Sequence, residues 1–181
     1  MSANWHNVMD LPARRYTCGF CGNKVATKAG FAAHTQGHFI YICPFCSKPT
    51  YFGPDQVPGV AYGDDIERLP DDIAKAYAEA RRCMSVSAYT AATLICRKVL
   101  MHIAVAEGDT PGKSFAQYVE YLEAKGFVPP NGREWVDHIR KKGNEATHEI
   151  PEIAQRDAQE LITFLAMLLT FIYEFPARLS K

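Results

Sequence analysis

The sequence predicts a mainly α protein, with a small cysteine-bearing module ahead of an antiparallel helical bundle. Three observations carry that expectation. Residues 1–53 hold two C-x2-C pairs and many aromatics, with little helical periodicity. Residues 54–68 carry two Pro, two Gly and a small acidic cluster, which is linker chemistry. From residue 69 to 181 apolar residues recur at helical spacing, and short connections between long helices imply antiparallel neighbours.

The chain has 181 residues, 48% apolar and 22% charged, enough to bury a core and too apolar for a disordered chain. Twenty basic and twenty acidic residues cancel, so nucleic-acid or membrane-surface binding would need a local patch. The longest apolar stretch, Leu161 to Tyr173, lies between Glu160 and Glu174 and is short of the roughly 20 residues a spanning helix needs. It reads as a core helix, and no membrane association is expected. Residues 1–15 contain Asn4, His6, Asn7 and Asp10 and no apolar run, unlike a signal peptide. The expected compartment is therefore the cytoplasm, where thiols stay reduced and cysteines serve as metal ligands or core residues.

Cys18-Gly19-Phe20-Cys21 and Cys43-Pro44-Phe45-Cys46 are separated by 21 residues. Each C-x2-C turn presents two thiolates on one side of a tight loop, and two turns complete a tetrahedral shell. Phe39–Ile42 and Thr50–Phe52 are β-prone runs beside them. The reading is a zinc ribbon over residues 1–53, with one structural zinc per chain held by Cys18, Cys21, Cys43 and Cys46. A competing ligand set exists: Cys18, Cys21, His34 and His38 fit two-cysteine, two-histidine finger spacing. It would strand Cys43 and Cys46. Cys83 and Cys96 sit among apolar residues and read as core.

Five helices are expected after the linker. The first covers about residues 71–84, capped by Asp71 or Asp72, with Ile73, Ala76, Tyr77 and Ala80 on one face. The second runs from about Ser87 to Glu107 and stops at Gly108. The third is capped by Ser114 and stopped by Gly126. The fourth spans about Gly132 to Lys142 with Trp135, Val136 and Ile139 inward. The fifth begins at Pro151 and ends near Phe175, before Pro176. Gly108 to Ser114 resembles a phosphate-binding loop, but it has three residues between its glycines where that loop needs four. It reads as a helix connection. Arg81, Arg82, Arg97 and Lys98 read as solvated or ion-paired cations on helix faces.

The most polar stretch of the helical half is Arg140-Lys141-Lys142-Gly143-Asn144-Glu145-Ala146-Thr147-His148-Glu149. Together with Ala80–Cys83, Tyr89–Ala92 and Arg97, it resembles domain-of-unknown-function family 4145, a helical bundle grouped with the HEPN superfamily. Members often carry an N-terminal zinc ribbon. The resemblance implies a HEPN-like bundle over residues 69–181. In active HEPN proteins it implies a metal-independent ribonuclease whose motif is Arg, a polar residue, three others and His, paired across a dimer. Asn144 and His148 match the polar residue and the His. Gly143 stands where active members place Arg. Arg140 lies a helical turn earlier, and Lys142 lacks the bidentate fork of an arginine.

The resemblance therefore implies a nucleic-acid-associated or interaction protein, non-catalytic, in bacterial defence or restriction systems. Arg140, Lys141 and Lys142 would contact phosphates of RNA or DNA. One alternative is a HEPN-type endoribonuclease using His148, Asn144 and Arg140. Another is an adaptor whose ribbon docks a protein partner. The last helix, apolar over most of its circumference, predicts a homodimer.

Overall fold

The computed structural model describes residues 4–128 and 153–179. It forms two compact units, Met1–Ala61 and Tyr62–Lys181. The mainly α expectation is overturned by the first of them. It is a five-stranded antiparallel sheet in the order β1-β2-β3-β4-β5, and a helical array follows it. The strands are β1 (Met9–Thr17), β2 (Lys24–Ala32), β3 (Phe39–Ile42), β4 (Pro49–Phe52) and β5 (Gln56–Val57). β3 and β4 are the two β-prone runs; β5 lies within residues 54–68.

β1 and β2 were hidden by composition. β1 holds Asp10 and Pro12, and β2 holds three Ala, two Lys and a Gly, all poor strand formers. Pro12 is accommodated because its strand is an edge and the register shifts between Asp10 and Arg14, so no ladder hydrogen bond needs its missing N–H. The Tyr41 hydroxyl then donates to the Pro12 carbonyl at 2.8 Å. The core of this unit is small: Leu11, Tyr16, Cys18, Tyr41, Cys43 and Phe52. The Phe52 ring meets Tyr16 and Tyr41 edge-on at 5.0 and 5.7 Å between centroids.

The second unit contains α1 (Asp71–Ser85), α2 (Tyr89–Ala106), α3 (Phe115–Ala124) and α4 (Gln155–Leu169). A π-helical stretch, Thr170–Glu174, and a short α5 (Phe175–Leu179) complete it. The first three helices lie close to their predicted ranges, but α1 begins at Pro70 with no side-chain cap, and Asp71 and Asp72 fall in its first turn, where they complement the helix dipole. Ser114 caps α3 through a full capping box with Gln117. Gly108 and Gly126, at φ of 103° and 80°, each close a helix with paired bonds back to its last turn. Within the loop that resembles a phosphate site, Lys113 is bound to Asp109. The predicted fourth helix and the Pro151 start of the fifth lie outside the described residues.

The last helix continues through Pro176, where the sequence predicted a stop. The π turn precedes it, and the Phe175 N–H reaches back to the Thr170 carbonyl. That wider turn shifts the hydrogen-bond ladder just where proline would otherwise clash with the preceding turn. α2 packs against α1, α3 and α4, and its Leu100, Ile103 and Ala104 are fully buried beside Ile162, Phe164, Leu165 and Leu168 of α4. By length and composition α2 and the 155–179 helix would each suffice to cross a bilayer, although both supply the core of this unit.

Arg81 is a structural residue. Its guanidinium donates to the carbonyls of Tyr62 (3.1 Å) and Gly63 (2.9 Å) and to the Asp65 carboxylate (2.9 Å). Tyr77 donates to the Asp64 carbonyl at 2.9 Å. Gly63, at φ 84°, lies so close that a Cβ would stand 2.8 Å from Ile162. Together these residues fold the 62–65 segment onto α1 and α4. Asp65 is 96% exposed, so its ion pair contributes little; the two carbonyl bonds of a largely buried guanidinium matter more. Arg81→Ala should lower the stability of the helical unit by about 2–3 kcal/mol, read as a shifted urea midpoint. Asp65→Ala should cost under about 0.5 kcal/mol.

Candidate metal centre

The four cysteines of the two C-x2-C pairs converge. Their sulfurs all lie within 4.8 Å of one another. Cys18 and Cys46 are 3.7 Å apart, and Cys21 and Cys43 are 3.8 Å apart. Four sulfurs about 2.3 Å from a common centre make a tetrahedron with edges of about 3.8 Å. The two measured distances are opposite edges of such a figure. All four are free thiols, and the arrangement can hold a metal ion. It is the one such cluster among the described residues.

Two hairpin turns build the site, and they are near copies. In the β1–β2 turn, the Cys18 N–H donates to the Asn23 carbonyl (2.9 Å) and the Gly22 N–H to the Cys18 carbonyl (2.8 Å). In the β3–β4 turn, the Cys43 N–H donates to the Lys48 carbonyl (3.0 Å) and the Ser47 N–H to the Cys43 carbonyl (2.9 Å). The residue after the second cysteine is left-handed in both, Gly22 at φ 71° and Ser47 at φ 58°. The third position of each motif is phenylalanine; Phe20 and Phe45 project at the tips, Phe45 at 74% exposure. Lys48 lies over the Phe20 ring at 4.9 Å. Gly19 is held against the segment that follows β5: a Cβ there would stand 2.2 Å from the Gly59 carbonyl oxygen.

The electrostatics of the cluster suit a cation. Burial, and then the neighbouring thiols Cys43, Cys21 and Cys18, push the Cys46 thiol up to about 12. Burial also pushes Cys18 up. Burial works the same way on Cys21, but hydrogen bonds from the Asn23 backbone and side chain and from two neighbouring thiols bring it down to about 7. Several thiolates packed together repel one another, and a divalent ion at their centre removes that cost. Cys96 behaves differently. It is buried in the helical core, and burial first and then the neighbouring Cys83 push it up to about 12, as befits an inert core thiol.

The histidine alternative fails on geometry. His38 sits in the β2–β3 connection, hydrogen-bonded through Nδ1 to the Tyr51 hydroxyl, and neither it nor the exposed His34 joins the cluster. The predicted site residues Arg140, Lys141, Lys142, Asn144 and His148 lie outside the described residues. Sequence reasoning missed Gly19, Ser47 and Gln56. Gln56 donates to the carbonyls of Thr17 (2.8 Å) and Pro58 (3.1 Å), tying the last strand to the first turn.

A family model described as Domain of unknown function (DUF4145) matches residues 78–181. The chain belongs to that family. The DUF4145 match starts within α1 and runs to the C-terminus, so Arg81 lies inside it and the four cysteines lie outside it. No curated protein and no solved structure matches the chain.

Replacing one ligand should abolish the centre. Cys43→Ser should lose bound metal, read by elemental analysis of purified protein, and the sheet's cooperative unfolding, read by a thermal melt, while His38→Ala should keep one metal ion per chain.

Proposed function

We propose that this chain is a zinc-stabilised, nucleic-acid-associated protein whose DUF4145 domain binds without catalysing. The all-thiolate, tetrahedral donor set with two ligands fully buried supports a single structural zinc. When bound, the ion supplies a cross-link between two hairpin turns. The N-terminal unit would then be a zinc-ribbon module, and the relationship of the helical unit to HEPN proteins rests on the Asn144-x3-His148 string. The compartment that suits reduced thiols is the cytoplasm, and the setting implied by the resemblance is bacterial defence or restriction.

The observation that carries the non-catalytic reading is Gly143. Phosphoester cleavage without a metal needs a proton shuttle and a fixed positive group at one phosphate. His148 supplies a shuttle; Gly143 supplies no charge where active members place Arg. Arg140, Lys141 and Lys142 remain as phosphate contacts. The protein should bind single-stranded RNA and tRNA with affinity that falls as salt rises, and should cleave neither. Robust cleavage abolished by His148→Ala would replace this reading with an endoribonuclease.

A homodimer is part of the proposal. Phe171, Phe175 and Leu179 are exposed at four-residue spacing on the C-terminal helix, the two rings 5.4 Å apart. Such a stripe is suited to a second copy. The wild type should scatter light as a dimer at micromolar concentration, and Phe171→Glu with Phe175→Glu as a monomer. A second reading, an adaptor docking a protein through the cysteine unit, is favoured by the protruding Phe20 and Phe45.

A further inference from the structure

The outer face of the sheet is aromatic, and the strand register shows it. Phe31 pairs with Ile40, Ile40 with Tyr51, and Tyr51 with Val57. Directly paired residues share a face, so these four form one row across β2, β3, β4 and β5. Their chain neighbours Tyr41 and Phe52 point the other way, into the core. Ile40 and Val57 are exposed, and Phe31 and Tyr51 are half-buried. The N-terminal arm lies on this face. The Trp5 ring stands 6.1 Å from that of Phe31, and its indole N–H donates to the Ser47 carbonyl at 2.7 Å. His38 stands beside Tyr51, 5.8 Å between rings. Four π surfaces therefore share one side of a rigid sheet.

Basic residues outnumber acidic ones in this unit. Residues 1–61 contain five basic residues, Arg14, Arg15, Lys24, Lys28 and Lys48, and two acidic ones, Asp10 and Asp55. The chain as a whole balances, so residues 62–181 carry the opposite surplus. Asp10 is paired with Lys28 at 2.6 Å. Arg15 and Lys24 line a groove on the β1–β2 hairpin, and neither has an ion-pair partner among the described residues. Four thiolates around a divalent ion would add two negative charges, but Cys18 and Cys43 are fully buried while these cations are exposed.

We propose that this face of the sheet binds single-stranded nucleic acid, with bases stacked on Trp5, Phe31 and Tyr51 and the backbone held by Arg15 and Lys24. Aromatic rings and exposed cations carried on one sheet, the cations further along β1 and β2, match the alternation of flat bases and phosphates in an unpaired strand. A duplex offers the cations its phosphates but hides its base faces. Stacking reads no sequence, so RNA and DNA single strands both fit. The inference deepens the nucleic-acid reading above and assigns it a second surface, separate from Arg140–Lys142.

The test uses the full chain loaded with zinc and fluorescein-labelled oligo(U), oligo(dT) and a duplex of mixed sequence, followed by anisotropy. Both single strands should bind more tightly than the duplex. Trp5→Ala and Tyr51→Ala should each weaken binding about ten-fold with metal content unchanged, and Tyr51→Phe should bind as wild type. Arg15→Ala and Lys24→Ala should each lower the slope of log affinity against log salt by roughly 0.7. The platform is overturned if the duplex binds as tightly as the single strands, if no oligonucleotide binds, or if the two alanine ring variants match wild type. In that last case, loss of binding on replacing Arg140, Lys141 and Lys142 by Ala would leave the nucleic-acid reading standing without the sheet. Binding lost in the ring variants and kept in that triple variant assigns it to the sheet.

Discussion

The N-terminal unit depends on the meeting of two hairpin turns at one tetrahedron of sulfur. A domain of about 60 residues buries a small share of its surface and is marginal by size alone. Here the buried core amounts to six residues, two of which are ligand cysteines. Closing four thiolates on a divalent ion is worth on the order of 10 kcal/mol, as much as an ordinary domain's whole stability. The turns β1–β2 and β3–β4 are far apart in sequence, so the centre also closes the long loop between them. Everything else in the sheet follows from holding those turns together: the Tyr16–Phe52–Tyr41 cluster packs beneath them, and Gln56 draws β5 back toward the first.

The near identity of the two turns shows how little sequence the geometry demands. Both need a tight loop, two cysteines three positions apart, and one left-handed residue after the second. Gly22 meets the last requirement without strain. Ser47 meets it at a cost of about 1 kcal/mol, and its carbonyl is engaged by the Trp5 indole. Gly19 and Pro44 occupy equivalent places for different reasons. Gly19 leaves room for the Pro58–Gly59 backbone.

Much of this was legible because some signals are local. The ligand set follows from cysteine spacing, and the ends of α2 and α3 follow from Gly108, Ser114 and Gly126, where one residue decides the backbone. The strands β1 and β2 were not legible. Their pairing is set by partners across the sheet and by the position of Pro12 at an edge, neither of which has a local signature. The mainly α expectation failed for that reason: a strand of Ala, Lys and Gly looks like loop until its neighbour is known. Arg81 misled in the opposite sense. A basic residue on an amphipathic helix reads as solvated, and only the folded 62–65 segment shows its guanidinium turned onto backbone carbonyls. The left-handed Ser47 carries no signal of its own, although its place after the second cysteine matches Gly22.

The two units solve the problem of stability by different means, and the family boundary follows that division. The helical unit buries an extensive apolar core around α2 and needs no metal to justify its packing. The DUF4145 match begins within that unit and excludes the four clustered cysteines. The helical unit has an apolar core of its own, whereas the sheet would depend on an ion held by its four cysteines. The surplus of positive charge on residues 1–61 belongs to the unit that carries the cysteine cluster, and Arg140, Lys141 and Lys142 belong to the other. Binding through the sheet would therefore be gated by metal, because losing an ion bound there would loosen the turns that order the aromatic row. Binding through Arg140–Lys142 would not be. Metal dependence is thus the property that separates what the sheet does from what the helical domain does.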